Sequence, residues 1–330
     1  MAKAITNQIK TYYTLYAGAE ESGALPMSVN MRPMRYSECS LEGATEEITS
    51  DVIIPETRIP STPEVGSESC EGDLNTEWNI DEQDDFFEGV FCNDWTVEEN
   101  QPGEASHKKL VLGDKRHSYG LLKKFPQTPV LYQQYKNVYI NSVNMDFATD
   151  DFVKLTWGLM GANNPIKVTE DPLTELSPVY APALNTKSFI TINGFLKVGA
   201  SVIGLNPMRQ SPSMSISINN NMERTPALCE KESIENSLGD FTITGNLDSY
   251  DVDDLGKELY NSAVNGEDKV IQIAVERTIG STSTSYVLTL PVHLSAPTES
   301  KNGNKLQFSV PFTVNRAKDL MLEKITKDIA

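Results

Sequence analysis

GDFTITGNLDSYDVDDLGKELY, residues 239–260, and GDLNTEWNIDEQDDFFEGV, residues 72–90, are two versions of one pattern. Gly239/Gly72, Asp240/Asp73, Asn246/Asn79 and Asp248/Asp81 are identical, and Phe241/Leu74 and Leu247/Ile80 are conservative swaps in the same register. After a two-residue insertion in the later copy, Asp253-Asp254-Leu255 meets Asp84-Asp85-Phe86, and Leu259 meets Val90. An ordered run of matches at one offset marks a supersecondary unit used twice.

The residues state what the unit is. Phe241, Ile243 and Leu247 alternate with Thr242, Thr244 and Asn246, the period of a strand with one buried face. Leu74, Thr76, Trp78 and Ile80 repeat this less cleanly. Acids follow, then apolar residues at helical spacing: Leu255 and Leu259 in one copy, Phe86 and Val90 in the other. Carboxylates at a helix start satisfy free N–H groups and suit the helix dipole. Each unit therefore predicts a strand, an acidic cap and a short helix.

Working outward, strand patterns dominate both sides of the linker. Lys109–Leu112, Val130–Tyr135, Val138–Phe147 and Phe152–Met160 read as strands in the first half; Thr96–His107 reads as a polar loop. Ser188–Ile192, Ser213–Ile218, Val270–Glu276 and Tyr286–Leu294 do so in the second. Leu306, Phe308, Val310, Phe312 and Val314 alternate with polar residues, and Pro311 marks an edge or an irregularity there. Asn302-Gly303 is a turn signal, and Gly280–Ser285 reads as a hairpin tip. Val52–Ser69, with prolines at 55, 60 and 63, does not suit a central strand. Gly161–Pro182 carries prolines at 165, 172, 178 and 182 and is the natural linker. Met321, Ile325 and Ile329, four apart, predict an amphipathic helix over Lys318–Ile329. The expected organisation is an arm over 1–33, a first module over 34–161, a linker over 162–187, a second module over 188–315, and a C-terminal helix or arm over 316–330. The fold class is mainly β: two antiparallel sandwiches or barrel-forming sheets, each with one flanking helix.

Charge is unevenly spread. The 330 residues carry 46 acids and 28 bases, a net charge of −18. Between Glu38 and Glu104 stand 20 of those acids and one base, Arg58. A tight nucleic-acid binder needs clustered Lys and Arg, so that class is excluded. Met1–Tyr16 lacks an apolar core beside a basic start, and no apolar run is long enough to span a membrane. Cys39, Cys70, Cys92 and Cys229 form no CxxC pair; they read as reduced thiols, with a disulfide the alternative.

No catalytic, cofactor-binding or metal residue is assigned. Asp248, Asp251, Asp253 and Asp254 suggest a calcium loop, yet the EF-hand spacing and terminal Glu are missing, and helix capping accounts for them better. His107, His117 and His293 have no nucleophile or HExxH partner and read as ordinary residues. Leu320–Ile329 is too short, and too mixed in charge, for a membrane-surface helix. No enzyme is expected.

The ordered set of segments resembles the tail tube (major tail) proteins of long-tailed bacteriophages, in the branch whose chain doubles the tube module. The pieces that carry it are YAGAEESGALP (16–26), TEEITSDVIIPETRIPSTPEVGSESCEGDLNTEWNIDEQDDFFEGVF (45–91) and YGLLKKFPQTPVLYQQYKNVYINSVNMDFATDDFVKLTWGLMG (119–161). In the second half they are SFITINGFLKVGASVIGLNPM, SPSMSISINNNME, LGDFTITGNLDSYDVDDLGKELYNSAVNG and YVLTLPVHLSAP. The family pattern often ends in an extended segment, from which the predicted C-terminal helix departs.

The resemblance implies a structural virion protein, made and assembled in the host cytoplasm, whose modules join into rings that stack as the tail tube. It implies several partners: further copies of the chain, tape-measure protein in the lumen, terminator and tip proteins at the ends, and phage DNA passing without specific binding. Six equivalent modules per ring would make the ring a homotrimer, with a hexamer of chains the alternative. An acidic wall would repel phosphate; the other reading of Glu38–Glu104 is a solvated outer face or an interface neutralised by pairing. The competing function is a tail tip or adaptor protein, or a two-domain β-sandwich adhesin.

Overall fold

The computed structural model describes residues 9–16, 31–49, 63–162, 164–170, 188–191, 193–208, 211–233, 235–250, 254–302, 305–315 and 319–328. In the first half the chain forms β1 (Lys10–Tyr16), β2 (Arg32–Met34), β3 (Glu38–Cys39), β4 (Glu42–Ile48), β5 (Glu64–Glu77) and α1 (Asp84–Phe91). It continues as β6 (Thr96–Val97), β7 (Glu104–Val111), β8 (Ser118–Phe125), β9 (Leu131–Ala148), β10 (Lys154–Gly161) and β11 (Ile166–Val168). The second half holds β12 (Gly194–Gly199), β13 (Asn206–Pro207), β14 (Ser213–Asn219), β15 (Glu223–Thr225), β16 (Glu235–Ser237), β17 (Thr242–Tyr250) and α2 (Asp254–Val264). It ends with β18 (Asp268–Ile279), β19 (Thr282–Leu294), β20 (Thr298–Asn302), β21 (Lys305–Val314) and β22 (Met321–Asp328). The protein is mainly β, as expected, and both predicted helix stretches are helical.

Every ladder among the described residues is antiparallel, and the two halves share a pairing order. In the first, β3 and β4 flank β5, and the row continues through β10, β9, β8, β1 and β2. In the second, β14 flanks β17, and the row continues through β21, β19, β18, β12 and β13. The predicted hairpin tip is shorter than Gly280–Ser285, since β19 already begins at Thr282: Ile279 faces Thr282 across Gly280, whose φ of 62° is the left-handed conformation glycine permits. Pro311 sits inside the sheet, opposite Asn246. Its missing N–H falls where β21 passes from β20 to β19, and its carbonyl is taken by the Ser295 N–H at 2.8 Å.

Several expectations are corrected. The Val130–Tyr135 and Val138–Phe147 runs are one strand, β9. Thr96–His107 is not all loop, because it contains β6 and the start of β7. Ser188 and Ile190 make only isolated bridges, to Asn79 and Phe152. Part of the linker is β11, which pairs with β9. The rest of it, from 171 to 187, lies outside the described residues, as do Gly303 and residues 50–62.

The largest correction is the C-terminus. Residues 321–328 form strand β22, not a helix, laid between β19 and β7 with Leu322 opposite Leu288 on one side and Leu110 on the other. Two open strand edges supply ladder partners for both edges of the segment. Leu322 and Lys324 are buried while Met321 and Glu323 are half-buried, a period of two.

Candidate functional site: a two-faced sheet shared by both halves

Six strands run side by side across the molecule in the order β5, β10, β9, β14, β17, β21. The first three belong to the first half and the last three to the second. Their seam is the β9–β14 ladder, which runs from Asn219 opposite Ser142 to Ser213 opposite Ala148. β8 covers β9 only as far as Val138, so the following stretch is open to receive β14.

One face of this sheet is core. Met214 faces Phe147, Ile216 faces Met145 and Ile218 faces Val143, all buried. Leu74, Trp157, Ile243, Leu247, Val310 and Phe312 extend the same apolar layer across both halves. Gly245 is needed there: a Cβ would lie 2.3 Å from the Ser215 carbonyl oxygen and 2.4 Å from the Phe312 ring.

The opposite face is polar and small. It presents Ser142, Asn144 and Asp146 from β9, Ser215 and Ser217 from β14, Thr244 and Asn246 from β17, and Ser309 and Thr313 from β21. Asn144, Asp146, Ser215, Ser217, Thr244 and Asn246, with Pro311 and Thr313 beside them, line a shallow hollow of about 580 Å³. Asp73 and Glu77 continue the face on β5. Lys154, on β10, is held by Asp151 at 2.6 Å. Alternation along each strand forces this division, since successive side chains point to opposite sides.

α1 holds the halves together on the core side. Phe86, Phe87, Val90 and Phe91 are all fully buried. Phe87 packs on Trp78 (ring centroids 5.0 Å) and Trp157 (5.1 Å), and Trp78 in turn meets Tyr286 of β19 at 5.2 Å and Phe189 at 5.9 Å. The acids before and within α1 do not cap it, contrary to the expectation: its N-cap is Gln83, which makes no side-chain cap bond. They bind other strands instead. Lys324 of β22 pairs with both Asp81 and Asp84, and the Tyr286 hydroxyl donates to Asp84 at 2.6 Å. Arg32 of β2 binds Asp85 at 2.7 Å, and Arg35 chelates the buried Glu82. Burial pushes the Asp85 carboxyl up, against Arg32 and the Tyr13 hydroxyl, which pull it down. Burial also opposes charge on Lys324, but Asp84 and Asp81 outweigh it and raise its pKa above the ordinary lysine value.

The acidic segment thus divides. Glu82, Asp84 and Asp85 are paired at buried or half-buried positions and the more exposed Asp81 is paired with Lys324, whereas Glu42, Glu46 and Glu47 on β4 are exposed. Sequence reasoning could count these charges but had no way to find their distant partners.

The remaining singled-out residues are scattered. Asp248 accepts from Ser213 Oγ at 2.5 Å, tying β17 to β14. Asp254 opens α2, and Asp251 and Asp253 lie outside the described residues. His107 contacts Glu323 at 3.1 Å and His293 contacts Asp268 at 2.9 Å. His117 is buried before β8, and that burial lowers its pKa. None of the four cysteines is in a disulfide, and burial pushes the Cys92 thiol up to about 11. Among the described residues no helix is long and apolar enough to cross a membrane.

No curated protein matches this chain. A family model described as phage tail tube protein matches residues 11–314, which takes in both halves and the whole six-stranded sheet. The chain belongs to the phage tail tube protein family and is a structural protein of a bacteriophage tail.

Proposed function

We propose that this protein assembles itself into stacked rings, that the six-stranded sheet curves around the lumen, and that its Ser/Thr/Asn face is the wall past which the genome travels. The observation that carries the reading is the continuity of that sheet across the β9–β14 seam, with one face core and the other polar. Sheets that close into a barrel lose their exposed edges, which otherwise template misassembly. The internal seam is a worked example of such joining: one half's edge strand extends the other half's sheet.

The wall chemistry supports passage. Each Lys–phosphate contact would retard DNA. Around the seam the face offers hydroxyls, amides and the carboxylates of Asp146 and Asp248. Fixed carboxylates repel phosphates over about 8–10 Å at physiological salt.

The shared pairing order of the halves supports two equivalent modules, over about 34–161 and 188–315. Three chains would then supply six modules to a ring, with true three-fold and approximate six-fold symmetry. Tape-measure protein would fill the lumen before ejection, and terminator and tip proteins would close the ends. The role is structural, with no catalytic residue or cofactor assigned, in a tail built in the host cytoplasm.

Cryo-electron microscopy of the purified protein tests this. The expected result is a tube with three chains per ring and Asn144, Ser217 and Thr244 facing the lumen. Six chains per ring, or this face turned outward, overturns it.

A further inference from the structure

Three side chains from separate segments converge at the end of α1. Glu88 stands in its last turn, Asp94 follows the left-handed residue Cys92 (φ 52°), and His117 immediately precedes β8. One ligand atom from each lies within 4.8 Å of the others. Backbone bonds build the arrangement: the Gly113 N–H donates to the Phe91 carbonyl at 2.9 Å, and the Lys115 N–H to the Cys92 carbonyl at 2.7 Å. The loop carrying His117 is thereby pinned to the helix end. Glu88 is oriented by the Trp95 N–H, which donates to Oε1 at 3.0 Å.

The histidine gives the cluster its meaning. Its side chain is 4 % exposed, and Nε2 has no hydrogen-bond partner. The Asn93 backbone is a hydrogen-bond partner of the ring, and because Nε2 makes no bond we assign this one to Nδ1. Donation to a carbonyl puts the proton on Nδ1 and leaves a lone pair on Nε2. That lone pair stands 3.5 Å from Asp94 Oδ1. Three acceptors therefore face one another. The cation beside them is Lys115, whose Nζ holds Asp94 from the solvent side at 2.7 Å.

We propose that Glu88, Asp94 and His117 form a binding site for a divalent transition-metal ion, with zinc the best fit. One imidazole nitrogen and two carboxylate oxygens make a three-ligand zinc set, with water completing the tetrahedron on the exposed side of Asp94. A nitrogen donor disfavours Mg²⁺ and Ca²⁺, which take all-oxygen shells. The bond to Asn93 is the outer contact that fixes a ligating histidine's tautomer and ring plane. A bound ion would staple the 113–117 loop to α1 and displace Lys115 from Asp94. This site does not depend on the tube reading.

Calorimetric titration of zinc chloride into the metal-stripped full chain at neutral pH tests the site. One saturable site per chain is expected, unaffected by magnesium. His117→Ala should weaken it at least about tenfold, the scale seen for disturbed ligand shells. Should that variant fail to fold, the nearly isosteric Glu88→Gln carries the same expectation. Lys115→Ala, on an exposed side chain, should tighten binding by removing the competitor for Asp94. No saturable zinc binding, or binding that these three substitutions leave unchanged, overturns the proposal. So does nitrogen NMR showing the His117 Nε2 proton in place at neutral pH and indifferent to zinc, since a proton then fills the gap.

Discussion

The two helices grow from the same strand–acid–helix unit and end in opposite surroundings. α1 buries Phe86, Phe87, Val90 and Phe91 completely, enclosed by Trp78 and Trp157 of its own half and, beyond Trp78, by Phe189 and Tyr286. α2 buries Leu259 and Ala263 against β21, while Lys257, Glu258, Asn261 and Val264 face solvent. The aligned residues explain it: where α1 has Phe87, α2 has Gly256, and where α1 has Glu88 and Gly89, α2 has Lys257 and Glu258. A helix with a broad apolar face must be covered, and one with a narrow apolar stripe need only lean on a sheet. What differs is whether a second half closes over the unit.

The strand edges show the same asymmetry. The Ser213–Asn219 strand of one half lies on β9 of the other, whereas β3 and β4, which hold the corresponding place beside β5, have ladders only to β5 among the described residues. β19 is covered by β18 from Thr282 to His293, where β9 leaves room for β14. The internal seam is made; of the corresponding outer positions, β19 is covered by the chain's own β18, and β4 is paired on one side among the described residues.

Breaking α1 should give the largest effect. Phe87→Ala empties a site between two tryptophans and should cost about 3–5 kcal/mol, enough to lower the urea midpoint severely. Equal costs at Phe87 and at the aligned end of α2 would dissolve the distinction between the helices. Next comes the seam. Ile216→Ala, beneath Met145, should cost about 2–4 kcal/mol, and hydrogen exchange should quicken in β14 and β9 together. Exchange rising in β14 alone would mean the seam is not a shared structure.

Lys324→Met tests the strap that β22 lays over the α1 acids. Removing it strands Asp84, and to a lesser degree the half-exposed Asp81, at a cost of about 2–3 kcal/mol. Around Lys324 lie those two carboxylates, the Tyr286 ring at 5.3 Å and, across the ladder, Lys108 of β7. Because its folded pKa is raised, the lysine's contribution is complete below the unfolded value near 10.4 and is lost as pH rises through the folded one. Alkaline melting curves should show that loss in the wild type and lack it in the variant.

Tyr260→Ala on α2 removes an edge-to-face contact with Phe308 (5.6 Å) and a bond to the exposed Glu299, and should lower the urea midpoint far less than the core substitutions do. Smallest of all for the fold is Thr244→Lys on the polar face, within about 0.5 kcal/mol by denaturation. Tubes carrying it should form but release DNA more slowly; unchanged release would separate this face from the DNA path.

The sequence by itself determined the repeated strand-and-helix unit, its two helices, and the alternation of Met214, Ile216 and Ile218 or of Phe308, Val310 and Phe312. Those are local properties, written at period two or near four, and each half-buried strand announces its own apolar face. Tertiary structure alone decided the rest. Met321 and Ile325 stand four apart, yet the segment is a strand because β19 and β7 offer it two ladders, and Lys324 then meets carboxylates more than 200 residues away. Asp84 and Asp85 have the chemistry of caps, yet partners from β22 and β2 take them first. Glu88, Asp94 and His117 carry no motif, since only the loop pinned to α1 brings them within reach. And nothing in Val143–Phe147 says that its edge will receive a strand from the other half, because pairing between distant edges depends on which ones the fold leaves open.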